Sequence, residues 1–316
     1  MPATPTRRLL LGSALALPAL SARPARAQGS GAREGRPVTV ASKLDTEGAL
    51  LGQIIASVLE ARGVAVRPRL QLGPTRILRQ AILAGEVDLY PEYTGNGAFF
   101  FQQEDDPAWK RAETAYERVR ALDAERNDIA WLRPAPANNT WAIAVRGDLA
   151  ARANLHSLED LARHLAGGGA FKLAASAEFV ESPAALPAFQ RAYGFTLSPA
   201  QLLVLPGGDT AVTMRAAGEG LSGVNAAMVY GTDGAISALS LRVLEDTRGA
   251  QIVYQPAPCA RGEVARGLPD LQAWLAPAFA ALTLERLQAL NAAIVVEGRP
   301  LRDVAQEHLR RVGQAG

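Results

Sequence analysis

Apolar residues recur along this chain with two alternating periods. Val38-Thr39-Val40-Ala41-Ser42 is a short β-branched run that predicts a strand. From Glu47 to Arg62 the apolar positions Leu50, Leu51, Ile54, Ile55, Val58 and Leu59 follow helical spacing, and Gly63 stops the helix. Val64 to Leu72 alternates as a strand, Thr75 to Ala84 predicts a second helix ending at Gly85, and Val87 to Tyr90 predicts a third strand. Strand, helix, strand, helix, strand predicts a parallel sheet covered by helices. A helix over 108–126 follows, and Pro134-Ala135-Pro136 breaks the chain.

A second α/β block begins at the strand Trp141–Val145. Ser157-Leu158-Glu159-Asp160 has the form of a capping box at a helix start. Strands are predicted over 171–175, 201–205 and 225–230, with helices near 184–193 and 209–217 between them. Short strands follow Tyr230, and three helices, near 268–280, 283–293 and 300–312, close the chain. The pattern therefore predicts an α/β fold of two lobes: lobe I over 37–140 plus 234–316, lobe II over 141–233. Ligands of open α/β sheets bind beyond the carboxyl ends of strands and between domains. Ser42, Lys43, Tyr90 to Thr94, Trp141, Glu178, Asp209 and Tyr230 sit at such ends.

The N-terminus changes the charge picture. Arg7 and Arg8, the apolar stretch Leu9–Leu20 and Ala25-Arg26-Ala27 have the order of a secretory signal peptide over 1–27, and Thr6-Arg7-Arg8-Leu9-Leu10-Leu11 resembles a twin-arginine export signal. Residues 28–36 read as a flexible leader. Cleavage would remove Arg7, Arg8, Arg23 and Arg26 and no acid, moving the formal net charge of +2 by four to −2. No basic excess would then remain for nucleic acid. The expected compartment is the periplasm, with a soluble, monomeric product.

Bond chemistry finds little support. The three histidines, His156, His164 and His308, stand in no metal-ligand pattern, and no Gly-x-Ser-x-Gly elbow or Walker loop is present. Gly218, Gly220 and Gly223 form a Gly-x-Gly-x-x-Gly, but it follows a helix, so it reads as a turn. The single cysteine, Cys259, cannot form an internal disulfide and reads as a small buried apolar residue. No metal and no cofactor is expected. Aromatic residues at predicted strand ends (Tyr90, Tyr93, Trp141 and Tyr230) are either lobe core or a wall for a methylated ammonium, which has no N–H and binds to ring faces. Lys43, Thr75, Thr94 and Thr140 are candidate partners for a carboxylate.

Four segments separate these alternatives. Ser42-Lys43-Leu44-Asp45-Thr46-Glu47-Gly48, Asp88 through Gly97 with its Tyr-Pro-Glu-Tyr-Thr-Gly core, Ala137-Asn138-Asn139-Thr140-Trp141 and Tyr230-Gly231-Thr232-Asp233-Gly234 resemble the substrate-binding proteins of quaternary-amine ABC importers, in the osmoprotectant branch that binds glycine betaine. The resemblance runs from about residue 38 to the C-terminus. It implies a two-lobed periplasmic-binding-protein clamp of type II, whose chain crosses twice between lobes and closes over its ligand. The partners it implies are a small quaternary-ammonium solute and a membrane permease driven by a cytoplasmic ATPase. It places box aromatics at Tyr93, Trp141 and Tyr230. Two departures stand out: Gly48 replaces a glutamine, and Trp141 replaces a tyrosine. The fourth ring position aligns with Met214, which either lines the pocket or packs in the lobe II core. Ser42 and Asp88, inside the motifs, join the ligand-facing candidates. Choline, an amino acid derivative or another cationic or zwitterionic solute is the alternative ligand, and an exported enzyme the alternative class.

Overall fold

The structure, a computed structural model, describes residues 36–205 and 210–314. The predicted signal segment, the leader up to residue 35 and Asp209 lie outside the described residues. Among the described residues, ten strands form two five-stranded sheets. The first holds β1 (Val38–Lys43), β2 (Val66–Gly73), β3 (Leu89–Tyr93), β4 (Ile129–Trp131) and β10 (Pro256–Arg261), in the order β2-β1-β3-β10-β4. The second holds β5 (Trp141–Arg146), β6 (Leu173–Ser176), β7 (Leu202–Leu205), β8 (Ala226–Tyr230) and β9 (Leu241–Val243), in the order β7-β6-β8-β5-β9.

The two sheets share one plan. Three strands run parallel, β2-β1-β3 and β7-β6-β8, as expected of strand–helix–strand units. The strand that enters each sheet from the other, β10 or β5, pairs antiparallel to both its neighbours. β9 follows residue 233, so the second sheet extends past the return point expected from the sequence. The chain is back in the first sheet only at β10.

Local chemistry explains the elements that flank the cleft. The helix Thr46–Ala61 starts where the Asp45 side chain accepts the Gly48 N–H at 2.6 Å, and stops at Arg62 before Gly63, whose φ of +77° a glycine adopts without strain. Leu50, Leu51, Ile54, Ile55 and Leu59 are fully buried between the first sheet and the C-terminal helices Leu271–Ala280, Leu284–Val295 and Leu301–Arg311. Each such side chain contributes roughly 1.5–3 kcal/mol. Ser157 and Asp160 form the predicted capping box.

Both sheets are covered on two faces, and side chains alternate between them. Val40, Leu89 and Ala260 face one core of the first sheet; Ala41, Tyr90 and Cys259 face the other. Tyr90 is therefore core, opposite Cys259 in register. Among the described residues no single helix is long and apolar enough to cross a membrane.

The first lobe also buries an ion pair. Asp123, fully buried, accepts two bonds from Arg79 at 2.6 and 2.7 Å, one from the Trp131 indole at 2.7 Å and one from Asn127 at 2.8 Å. Asp123→Ala strands the buried guanidinium and should cost on the order of 3–5 kcal/mol. The check is denaturant unfolding, and a loss below about 1 kcal/mol contradicts it.

Candidate functional site

The carboxyl ends of β1, β3, β6 and β8 face one cleft of about 1090 Å³ between the sheets. Two crossovers form its back wall, and hydrogen bonds tie them side by side. The Asn139 N–H donates to the Tyr254 carbonyl at 2.9 Å, the Tyr254 N–H to Asn138 Oδ1 at 2.8 Å, and the Thr140 hydroxyl to the Ile252 carbonyl at 2.8 Å. Thr94 completes the join: its N–H donates to the Gln255 carbonyl at 3.0 Å, its hydroxyl donates to the Val253 carbonyl at 3.2 Å and accepts the Gln255 N–H at 3.1 Å.

Of the residues picked from the sequence, Tyr93, Trp141, Tyr230, Met214, Lys43 and Thr75 line the cleft. Ser42, Thr94, Thr140 and Asp88 do not. The hydroxyls of Thr94 and Thr140 are consumed by the crossovers. Ser42 is fully buried; its Oγ accepts the Gln71 N–H at 2.9 Å and donates to the Lys43 carbonyl at 3.1 Å, closing the irregularity between β1 and β2. Asp88 sits at the other end of β3, where it takes the Thr39 N–H at 2.8 Å and pairs with Arg261 at 3.3 Å.

Lys43 lines the cleft, but its charge is already partnered. Its ammonium is bonded to the fully buried Glu92 and lies 4.5 Å from the centre of the Tyr93 ring. Glu92 also accepts the Tyr93 N–H and Asn96 Nδ2, both at 2.7 Å. One face of Tyr93 is thus covered by the protein's own cation. Across the cleft, Trp141 and Tyr230 are opposite in the β5–β8 register, with ring planes 23° apart and centroids 6.4 Å apart. Phe179 braces Trp141 edge-on at 5.9 Å. Met214 is 3% exposed and packs into the second-sheet core with Ala174, Ala227 and Val229 while also touching the cleft. It meets both readings of its position.

Tyr254, Glu47, Asn139, Thr232 and Asn291, which the sequence did not single out, complete the wall. Tyr254 lies on the second crossover, its phenol pushed up by burial and by Tyr230 nearby. Glu47, 6% exposed, sits at the cleft floor. Its Oε1 takes the Tyr93 hydroxyl at 2.7 Å and Asn139 Nδ2 at 3.1 Å, its Oε2 takes Asn291 Nδ2 at 2.7 Å, and the Thr232 side chain also bonds it. Asn291 was discoverable as a polar residue on the apolar face of Leu287 and Leu290; Glu47 and Asn139 lay inside recognised motifs without a mark of their own.

The two glycines of the Tyr230–Gly234 turn are set by close approach. A Cβ on Gly231 would lie 2.5 Å from the Asn138 carbonyl oxygen, and one on Gly234 2.4 Å from the Ala292 nitrogen. Gly48 is tight as well, since a Cβ there would meet Lys43 Cβ at 3.1 Å.

Residues 36–311 match the family described as the substrate binding domain of ABC-type glycine betaine transport systems. The chain belongs to that family. It is 57% identical over 277 residues to the glycine betaine-binding protein YehZ of Escherichia coli, covering 88% of this chain and 91% of that one. A glycine-betaine-binding protein of Pseudomonas aeruginosa is 31% identical over 300 residues, covering 91% and 93%. The solved structure of apo YehZ superposes with a TM-score of 0.84 at 56% identity, over 89% of this chain and all of that chain. The two-lobed type II clamp is the fold of this family, and its members are solute-binding components of ABC importers.

Within this family cleft, Glu47 is the group whose charge state is in play. Burial raises its pKa to about 7, against the lowering pull of its donors Thr232, Tyr93 and Asn291. A folded-state pKa above the unfolded 4.5 means the folded form holds a proton that the unfolded form has lost. Stability from this group is present below about pH 4.5 and is lost as pH rises to about 7. The loss approaches ~1.4 kcal/mol per pH unit. Unfolding free energies of wild type and Glu47→Gln from pH 5 to 8 check this. The wild-type advantage over the variant should shrink with pH, and a constant difference contradicts it.

Proposed function

We propose that this protein captures glycine betaine, or a closely similar quaternary-ammonium solute, in the cleft and delivers it to the permease of an ABC importer, without bond chemistry. The observation that carries this reading is the aromatic wall: Trp141 and Tyr230 from the second sheet, with Tyr93 and Tyr254 from the first sheet and the crossover. A trimethylated nitrogen offers no hydrogen-bond donor, and ring faces attract it by ~0.5–2 kcal/mol each. The solute would sit against Trp141, Tyr230 and Tyr254, because Lys43 covers one face of Tyr93. Met214 would contribute apolar, polarizable contact without the quadrupole of a ring.

Charge supports a cationic group. Among the described residues lining the cleft, six are acidic (Asp45, Glu47, Glu104, Asp105, Glu178 and Asp233) and three basic (Lys43, Lys110 and Arg191). The same imbalance favours choline as the second reading. Export by residues 1–27, a periplasmic location and a monomeric state complete the proposal; 57% identity to a glycine betaine-binding protein supports it. Intact-mass measurement of periplasmic protein should find a chain beginning near Gln28, and an intact 1–27 segment contradicts the export reading.

Glycine betaine should quench or shift Trp fluorescence and raise the melting temperature, since a ligand at a hundred times its Kd stabilises the folded state by ~2.7 kcal/mol. Trp141→Ala should weaken binding at least 2- to 30-fold, the worth of about one ring contact. No response to a panel of quaternary amines at high millimolar concentration overturns the ligand class.

A further inference from the structure

We propose that Gln251 is the residue that recognises the carboxylate of the solute, and so separates glycine betaine from cations without an acidic end. This rests on the quaternary-ammonium reading above and adds the part of the cleft that the aromatic wall leaves undefined.

A carboxylate needs donors, and three of the four expected from the sequence are spent, Thr75 at the cleft edge being the fourth. Lys43 is paired with Glu92. The Thr94 and Thr140 hydroxyls hold the crossovers together. Gln251 lines the same cleft, is 6% exposed, and its Nε2 has no hydrogen-bond partner among the described residues. A buried amide N–H without a partner is destabilising by itself and is retained where a ligand completes it. The indole N–H of Trp141 lacks a partner of good geometry too, but it faces the Tyr230 hydroxyl and restrains the rise of that phenol. It belongs to the wall.

Placement supports the role. Gln251 precedes Ile252, whose carbonyl takes the Thr140 hydroxyl, and Thr140 precedes Trp141. The backbones of Gln251 and Trp141 thus adjoin the two partners of one hydrogen bond. A betaine separates its nitrogen from its carboxyl by one methylene, so a carboxylate donor must lie beside a ring that holds the ammonium. The backbone under Gln251 is anchored: Asp246 accepts the N–H groups of Ala250 and Gln251, both at 3.0 Å, and the Tyr193 hydroxyl at 2.5 Å. A donor on an anchored backbone loses little freedom on binding.

The test is calorimetric titration of glycine betaine into wild type, Gln251→Leu and Gln251→Glu, with a melting curve of each unliganded protein. Gln251→Leu should bind about tenfold more weakly or worse, the loss of a hydrogen bond to a charged group. Its unliganded melting temperature should stay level or rise, because the unmatched buried amide is gone. Gln251→Glu should lose more than Gln251→Leu at pH 8, because a carboxylate would then face a carboxylate. Leu-variant affinity within twofold of wild type overturns the assignment. So does a Glu variant no weaker than the Leu variant, or a loss that tracks a fall in the unliganded melting temperature. If wild type itself binds no glycine betaine, the functional reading falls and this assignment falls with it.

Discussion

The cleft is organised by one buried carboxyl. Glu47 stands in the first turn of the helix Thr46–Ala61 and gathers donors from the end of β3 (Tyr93), the first crossover (Asn139), the turn after β8 (Thr232) and the helix Leu284–Val295 (Asn291). Those segments are far apart in sequence, and Asn291 also bonds the Thr232 carbonyl. A carboxyl with four donors tolerates burial that an isolated one would not. The cleft floor is therefore a point where segments of both sheets meet beneath the aromatic wall.

A second constraint follows from Lys43. A lysine at a strand end in a cleft reads as an anion-binding residue, yet here Glu92 neutralises it and the Tyr93 ring shelters it. The pair is buried, so its net contribution to stability is small. Its effect is on shape and charge: it fills one side of Tyr93 and withdraws a cation from the solute. Gly48 makes this arrangement feasible, since a larger residue there would crowd Lys43.

The crossovers join the two lobes by main-chain bonds and two threonine hydroxyls. Such a join resists sliding while leaving few side chains to repack. A short, hydrogen-bonded pair of connecting segments between two lobes is the structural form of a hinge.

The periodicity of apolar residues, by itself, determined the longer helices and the parallel strands of the first sheet, because burial on one face imposes periods of 3.6 and 2 that survive without tertiary information. The motifs determined the family and three of the cleft rings. Only the tertiary structure decided which polar side chains are available to a ligand. Ser42, Thr94, Thr140 and Asp88 lie at motif positions like those of true cleft residues, but their partners come from Gln71, Val253, Ile252 and Arg261, and sequence proximity does not reveal those pairings. The antiparallel placement of β5 and β10 and the late return of the chain were equally hidden, because a crossover strand carries the same alternation whichever way it runs. Tyr254 and Gln251 became cleft residues only when the second crossover folded against the first.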